Sequence, residues 1–335
     1  MLNQTKIHSC ASYLPTQKIQ SDDFFNSINL YKNFGIPDNW MSRIMGITER
    51  RRATPNEQPS DLAFKAAQSC LDKSQQINID HIDALIFCGI EKDNKEPATA
   101  HNVQRKLGTK AKHVFDVSNA CFGFFDGIEL AEMFIATKRA RYVLVVTGET
   151  YGNLQNALIR KMQSGITPED VKKILGFFSV GDAGGAMLLG PTDNKKSGFK
   201  FFKNSVDSNL SDHCYYRMNA GEVEGQMLMS EIMDRGFEMQ ESTLLNNMHQ
   251  AGWDEFDWLL THQTGKRNYE QTKSLNVARP ERVIKTFDKL GNITSATLPV
   301  IFDRLLNQDG LKQGDNVGGA FAGSGLVIGQ FGYTI

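Results

Sequence analysis

Three side chains of this 335-residue chain have types and positions that could do chemistry: Cys121, His262 and Asn292. Cys121 lies in "FDVSNACFGFFDGIEL" (115–130), between a strand-like run and a helix-like run. If the helix begins near 121, its unpaired N–H groups and positive dipole end would favour a thiolate, lowering the thiol pKa below about 8.5. The flanking Ser118, Asn119, Ala120 and Gly123 suit a tight strand–turn–helix elbow and leave room for a substrate. A cysteine taken alone is more often a buried structural thiol, which suits Cys70 and Cys88 inside apolar patterns better than it suits Cys121. His262 ends the strand-like "DWLLTH", a position favoured for sites in α/β folds. Asn292 follows Gly291 in "LGNITSATLP", which by itself is ordinary turn chemistry.

The elements that must position these residues alternate between short apolar runs and helical patterns, as in layered α/β proteins. "DLAFKAAQSCLDK" (61–73) reads as a helix with an apolar stripe, and "IDALIFCG" (82–89) as a buried strand. "ATAHNVQRKLG" (98–108) is a helix stopped by Gly108; strand "HVFDV", helix 121–136 and strand "RYVLVVTG" (141–148) follow. "GDAGGAMLLG" (181–190) reads as a glycine-rich turn entering a strand, and "PTDNKKSG" (191–198) as a linker. "DWLLTH" then repeats "DALIFCG" in type. "RVIKTFDKLGNITSATLPVIFDRLL" (282–306) repeats the strand, small-residue turn and helix around Cys121. Two duplicated halves are expected, 1–190 carrying the cysteine and 191–335 carrying the histidine and asparagine.

Composition narrows the function. With 37 basic and 38 acidic residues the formal net charge is −1, which gives no electrostatic case for nucleic acid. No apolar run approaches the roughly eighteen residues of a membrane helix, and "MLNQTKIHSC" does not read as a secretory leader. Five cysteines without CxxC spacing suggest neither a disulfide framework nor a metal site, so a reducing cytoplasm is expected. A nicotinamide dehydrogenase is disfavoured, since no GxGxxG follows a first strand.

Taken in order, "DVSNACFGF", "THQTGKR" and "GNITSATLP" resemble the thiolase superfamily, and within it the β-ketoacyl-acyl carrier protein synthase III-like condensing enzymes. The likeness extends over "YLPTQKIQSDDF", "WMSRIMGITERR", "GDAGGAMLLG" and "GDNVGGAFAGSGLVIG". It implies a five-layered αβαβα thiolase fold built from duplicated halves, a homodimer, and thioester substrates on coenzyme A or acyl carrier protein with no cofactor. By the same resemblance, Cys121 accepts an acyl group, and His262 and Asn292 donate hydrogen bonds to the second substrate's thioester oxygen. The N–H groups of Cys121 and Ser324 hold the acyl-enzyme's oxyanion. Trp40, Arg43 and Arg267 fall at carrier or coenzyme A docking positions. The residue types suit this chemistry: an enolate oxygen is stabilised by a neutral imidazole N–H and an amide N–H, and a carboxylate at 292 would repel it.

The stretch "EPATA" within 92–100 resembles more specifically the thiolase that begins bacterial head-to-head olefin synthesis, which joins two fatty acyl chains without decarboxylation. That resemblance assigns Glu96 as a base reaching the partner subunit's site; a solvated loop carboxylate is the competing reading. Glu149, near the expected site, carries no assigned role. Twenty-one Phe, among them Phe122, Phe124 and Phe125, and twelve Met fit a core better than an acyl tunnel. Two departures stand out: Ile44 where synthase III enzymes have arginine, and Gly265 where they have asparagine. Decarboxylative condensation with a malonyl thioester is therefore the second reading, and a non-catalytic thiolase-fold partner subunit the third.

Overall fold

The computed structural model describes residues 5–74 and 76–335. In chain order its strands are β1 (Thr5–Tyr13), β2 (Gln17–Gln20), β3 (Glu49–Arg52), β4 (Ala84–Cys88), β5 (His113–Val117), β6 (Val143–Glu149) and β7 (Ala183–Pro191), then β8 (Gly198–Val206), β9 (Cys214–Asn219), β10 (Glu222–Met227), β11 (Trp258–Thr261), β12 (Asn316–Gly323) and β13 (Val327–Thr334). One sheet has the order β1-β7-β6-β4-β5 and a second the order β11-β12-β13-β8. In the first, β4 pairs parallel with β5 and β6, and β7 runs antiparallel to both β6 and β1. β4 reads "ALIFC" and β6 "VLVVTGE", every residue buried. Continuous apolar runs of this kind are what a parallel sheet covered on both faces requires.

The layers follow from which helices those faces accept. Helices Pro59–Lys73 and Thr99–Leu107 cover the outer face of the first sheet. Helices Gly123–Ala136 and Thr297–Leu305 pack against each other between the sheets, and Met229–Gln250 covers the second sheet's outer face. Helix Pro59–Lys73 starts with proline in its first turn and a reciprocal Gln58/Asp61 cap, and buries Leu62, Ala63, Ala66, Ala67 and Cys70. It lies so close to the sheet that a Cβ on Gly148 would meet the Pro59 carbonyl oxygen at 1.9 Å. The helix following Cys121 is apolar nearly all round, as its central position demands. Phe122, Phe124 and Phe125 are fully buried in the cluster between the sheets, so they are core.

The sequence-based elements of the first half recur within two or three residues. The repeat in the second half is looser. The strand expected near 282–286 is reduced to a single bridge between Val283 and Leu259. Its backbone is taken up instead by one side chain. Gln263 Oε1 accepts from the N–H groups of Thr286 (2.8 Å) and Phe287 (3.2 Å), and its Nε2 donates to the Ile284 carbonyl at 2.6 Å. A buried amide thus replaces a strand partner and turns the chain toward Asn292.

Candidate active site

Cys121 sits at the end of a turn that leaves β5 and enters helix Gly123–Ala136. Ala120 is held in the left-handed region at φ 48°, an uncommon conformation for a residue with a Cβ. Hydrogen bonds from Phe122 N to Asn119 O (2.9 Å) and from Asn119 Nδ2 to Asp126 (2.8 Å) fix the turn to the helix. Among the described residues no backbone carbonyl receives the Cys121 N–H. The turn between β12 and β13 arrives opposite, so close that a Cβ on Gly323 would lie 2.8 Å from the Cβ of Phe122. That approach puts Ser324 beside the thiol.

His262 continues β11, its N–H donating to the Ala320 carbonyl of β12 at 3.0 Å. Its ring is buried, and Nδ1 has no partner. Asn292 is pinned on both sides: its N–H donates to Ser179 O (2.9 Å) and its carbonyl accepts from Gly181 N (3.0 Å). Its side-chain Oδ1 accepts from Thr294 N at 3.0 Å, which orients the amide. Among the described residues Nδ2 has no protein acceptor and remains available as a donor.

These residues meet. Cys121, Asn292, Ser324, Cys214 and Met227 line both of two adjoining cavities. The first, a narrow space of about 60 Å³, also contains His262 and runs along Met229, Met233 and Phe237 of helix Met229–Gln250. The second, about 360 Å³, runs under the β9–β10 hairpin past Ile90, Tyr151, Phe177, Val180 and Tyr216. One thiol therefore faces two compartments, with the His262 imidazole on the side of the first and the Asn292 amide common to both. Such an arrangement can hold two acyl thioesters with their reacting carbons together.

The electrostatics correct one expectation. The helix starts at Gly123, beyond the thiol, and burial pushes the Cys121 pKa well up, with Cys214 and Glu149 adding in the same direction. No resting thiolate is stabilised; the proton must leave as the substrate arrives. Burial has the opposite effect on His262, depressing its pKa to about 4. The imidazole is neutral at physiological pH, as an N–H donor to an oxyanion should be. Because the folded pKa lies below the unfolded value of about 6.5, the unfolded chain binds the extra proton. Stability is therefore full above pH 6.5 and falls as pH drops toward 4, by on the order of 3 kcal/mol from this group. Denaturant titrations at pH 7.5 and 4.5 should show a smaller acid loss in His262→Gln than in the unsubstituted protein. Parallel losses would deny the buried neutral ring.

The remaining expected residues lie elsewhere. Glu96 is exposed, in the loop 89–98, and lines neither cavity of its own chain. That loop is anchored by Asp116, which accepts from Thr99 N and Ala100 N, each at 2.9 Å. Arg43 is exposed and Trp40 half-buried on the helical turn Trp40–Ile44. This segment meets the start of helix Lys266–Lys273 through Lys266 N to Met45 O, 2.9 Å. Arg267, on that helix, is paired with Asp234 at 2.5 Å, so it is not a free cation here.

The role of Glu149 and the placement of Cys214 were not legible in the sequence. Glu149 is fully buried and accepts from Ile90 N (3.1 Å), Glu91 N (3.2 Å), Tyr151 and Ser295, tying three loops around the cavities. Cys214, unremarkable in sequence, lines both cavities beside Cys121; only the tertiary fold brings them together. Among the described residues no cluster of His, Cys, Asp and Glu could hold a metal, and no helix is long and apolar enough to cross a membrane.

Sheets, central helices and a cysteine elbow facing a histidine and an asparagine define a thiolase-fold acyl-transferring enzyme. Residues 115–209 match the family described as 3-oxoacyl-[acyl-carrier-protein (ACP)] synthase III, and residues 247–334 its C-terminal part. The chain belongs to that family, the synthase III-like condensing acyltransferases of the thiolase superfamily. It is 27% identical to β-ketoacyl-[acyl-carrier-protein] synthase III 2 of Halalkalibacterium halodurans, covering 98% of this chain and 97% of that protein. It is 28% identical to the synthase III of Clostridioides difficile, covering 98% of each. Among solved structures, cerulenin-bound OleA of Xanthomonas campestris superposes with a TM-score of 0.91 at 24% identity, over 100% of this chain and 98% of that one. A variant of the same OleA with bound lauric acid and lauroyl-CoA gives 0.91 at 24%, over 100% of both chains. These likenesses show the fold, and with it the five layers and the duplicated halves.

Proposed function

We propose that this protein joins two acyl thioesters by a Claisen condensation, without decarboxylation, to give a β-ketoacyl product. The observation that carries the proposal is that Cys121 lines two cavities at once, with Asn292 common to both and His262 in the first. In the first stage the Cys121 sulfur attacks a thioester carbonyl. The carrier thiol leaves with the proton, and an acyl-Cys121 remains, its oxyanion received by the N–H groups of Cys121 and Ser324. In the second, a base takes the α-proton of another acyl thioester. The C–H electron pair becomes the enolate, whose oxygen accepts from His262 and Asn292. The enolate carbon then attacks the acyl-Cys121 carbonyl, the C–S bond breaks, and the Cys121 thiolate is regenerated to be protonated.

Glu96, delivered across a homodimer, is assigned as the base. Its exposure in the single chain is what a residue destined for a partner's site would show, and OleA, whose fold this chain shares, is a protein crystallised with lauroyl-CoA. Substrates arrive on coenzyme A or acyl carrier protein in the cytoplasm, the carrier meeting Trp40, Arg43 and Arg267, and the chain's own residues carry every step without a further cofactor. The split into halves at residue 190 belongs to the same reading; it falls within the last residues of β7, ahead of β8.

A second reading, decarboxylation of a malonyl thioester, is favoured by relatives that are named synthase III. Long-chain acyl-CoA alone, then with malonyl-acyl carrier protein, separates the two. A β-ketoacyl product without malonate is expected, and Glu96→Gln should lower that turnover by about 10²–10³-fold. Product formed only with malonate, or unchanged turnover in Glu96→Gln, would shift the assignment to the second reading.

A further inference from the structure

One wall of the second cavity is polar in a way that a plain hydrocarbon chain does not use. Tyr216, on β9, lines this cavity, and its hydroxyl donates to Glu91 Oε1. With the phenol proton committed to Glu91, what Tyr216 offers the cavity is oxygen lone pairs. Among the described residues no donor bonds to the Tyr216 oxygen. The neighbouring Tyr151 differs, because its hydroxyl is matched by Glu149 (2.9 Å) and Thr294 (3.0 Å). Glu91 itself does not line the cavity, and besides Tyr216 the lining includes the apolar Ile90, Phe177, Val180 and Met227.

An acyl chain pressed against acceptors without donors leaves them desolvated and unpaired, which is costly. A chain with one hydroxyl at that place satisfies them. We propose that the acyl group received in the second cavity carries a hydroxyl close to its thioester end, and that this hydroxyl donates to the Tyr216 oxygen. The inference rests on the reading that Cys121 accepts an acyl group. The hydroxyl is placed near the thioester because Tyr216 and Cys121 line the same cavity. An ammonium group would fit less well. No aspartate or glutamate is among the residues lining this cavity, so a positive charge would meet no neutralising carboxylate on its wall.

The test measures the rate of Cys121 acylation by intact mass, using octanoyl-CoA, 2-hydroxyoctanoyl-CoA, 3-hydroxyoctanoyl-CoA and 3-aminooctanoyl-CoA. One of the hydroxyacyl probes should load about tenfold faster than octanoyl-CoA, the effect of one good hydrogen bond in a desolvated site. In Tyr216→Phe the ratio of the two rates should collapse toward one. Equal loading of octanoyl and hydroxyoctanoyl groups, a preference that survives Tyr216→Phe, or fastest loading by the amino probe would each overturn the inference. An octanoyl adduct without hydroxyl preference would remove this inference alone. No adduct from any probe would remove the acyl-enzyme reading as well.

Discussion

Replacing Cys121 with alanine is expected to abolish the acyl-protein adduct and lower condensation by on the order of 10⁴–10⁶-fold, the scale seen when a covalent nucleophile is removed. The substitution deletes only a sulfur that lines cavities rather than filling core, so thermal stability should change little. The elbow is held by Ala120, Asn119 and Asp126, none of which the change touches. Product analysis by mass spectrometry after incubation with acyl-CoA checks the rate, and a thermal melt checks the fold. Turnover within tenfold of the unsubstituted protein would mean that the chemistry does not pass through this thiol.

The second large effect should come from Asn292→Asp, which keeps the shape and exchanges an N–H donor for a carboxylate. Its Oδ1 can still accept from Thr294 N, so the second oxygen is left where Nδ2 was, facing the cavity. A negative charge there repels the enolate, and loss of the donor alone costs about 10²–10³-fold. Condensation should fall by at least about 10³-fold. Loading of Cys121 should fall far less if, as proposed, that oxyanion is received by the backbone N–H groups of Cys121 and Ser324. Burial raises the pKa of the new carboxyl, so part of the lost condensation should return as pH falls and the acid becomes a donor. Equal loss in both stages would place Asn292 in binding generally. No loss would remove it from the site.

How much of this was legible in the sequence depended on whether information was local. β4, β5 and β6 could be read because continuous apolar runs with glycine or polar ends leave few alternatives, and Gly108 marks its helix end by adopting the left-handed conformation. The convergence of Cys121, His262 and Asn292 could be read only through the order of motifs, not from any one of them. Failures came where a distant side chain decided the outcome. Gln263 replaces the expected strand near 284, and no local pattern announces a glutamine that will bond three backbone groups. The thiol's environment was misjudged for a related reason: a helix terminus is visible in sequence, whereas burial by β12–β13 and the β9–β10 hairpin is not. Cys214 and the Glu91–Tyr216 pair likewise arise from segments far apart in the chain.

Acyl-CoA labelled with ¹³C at the thioester carbonyl tests the central claim most directly when the Cys121-containing peptide and the product are weighed from one reaction. The account predicts a Cys121 peptide heavier by one labelled acyl group and a β-keto product retaining two labels. A product made while Cys121 stays unmodified at every time sampled, or a Cys121 adduct that never becomes a doubly labelled product with any acyl-CoA, would contradict it.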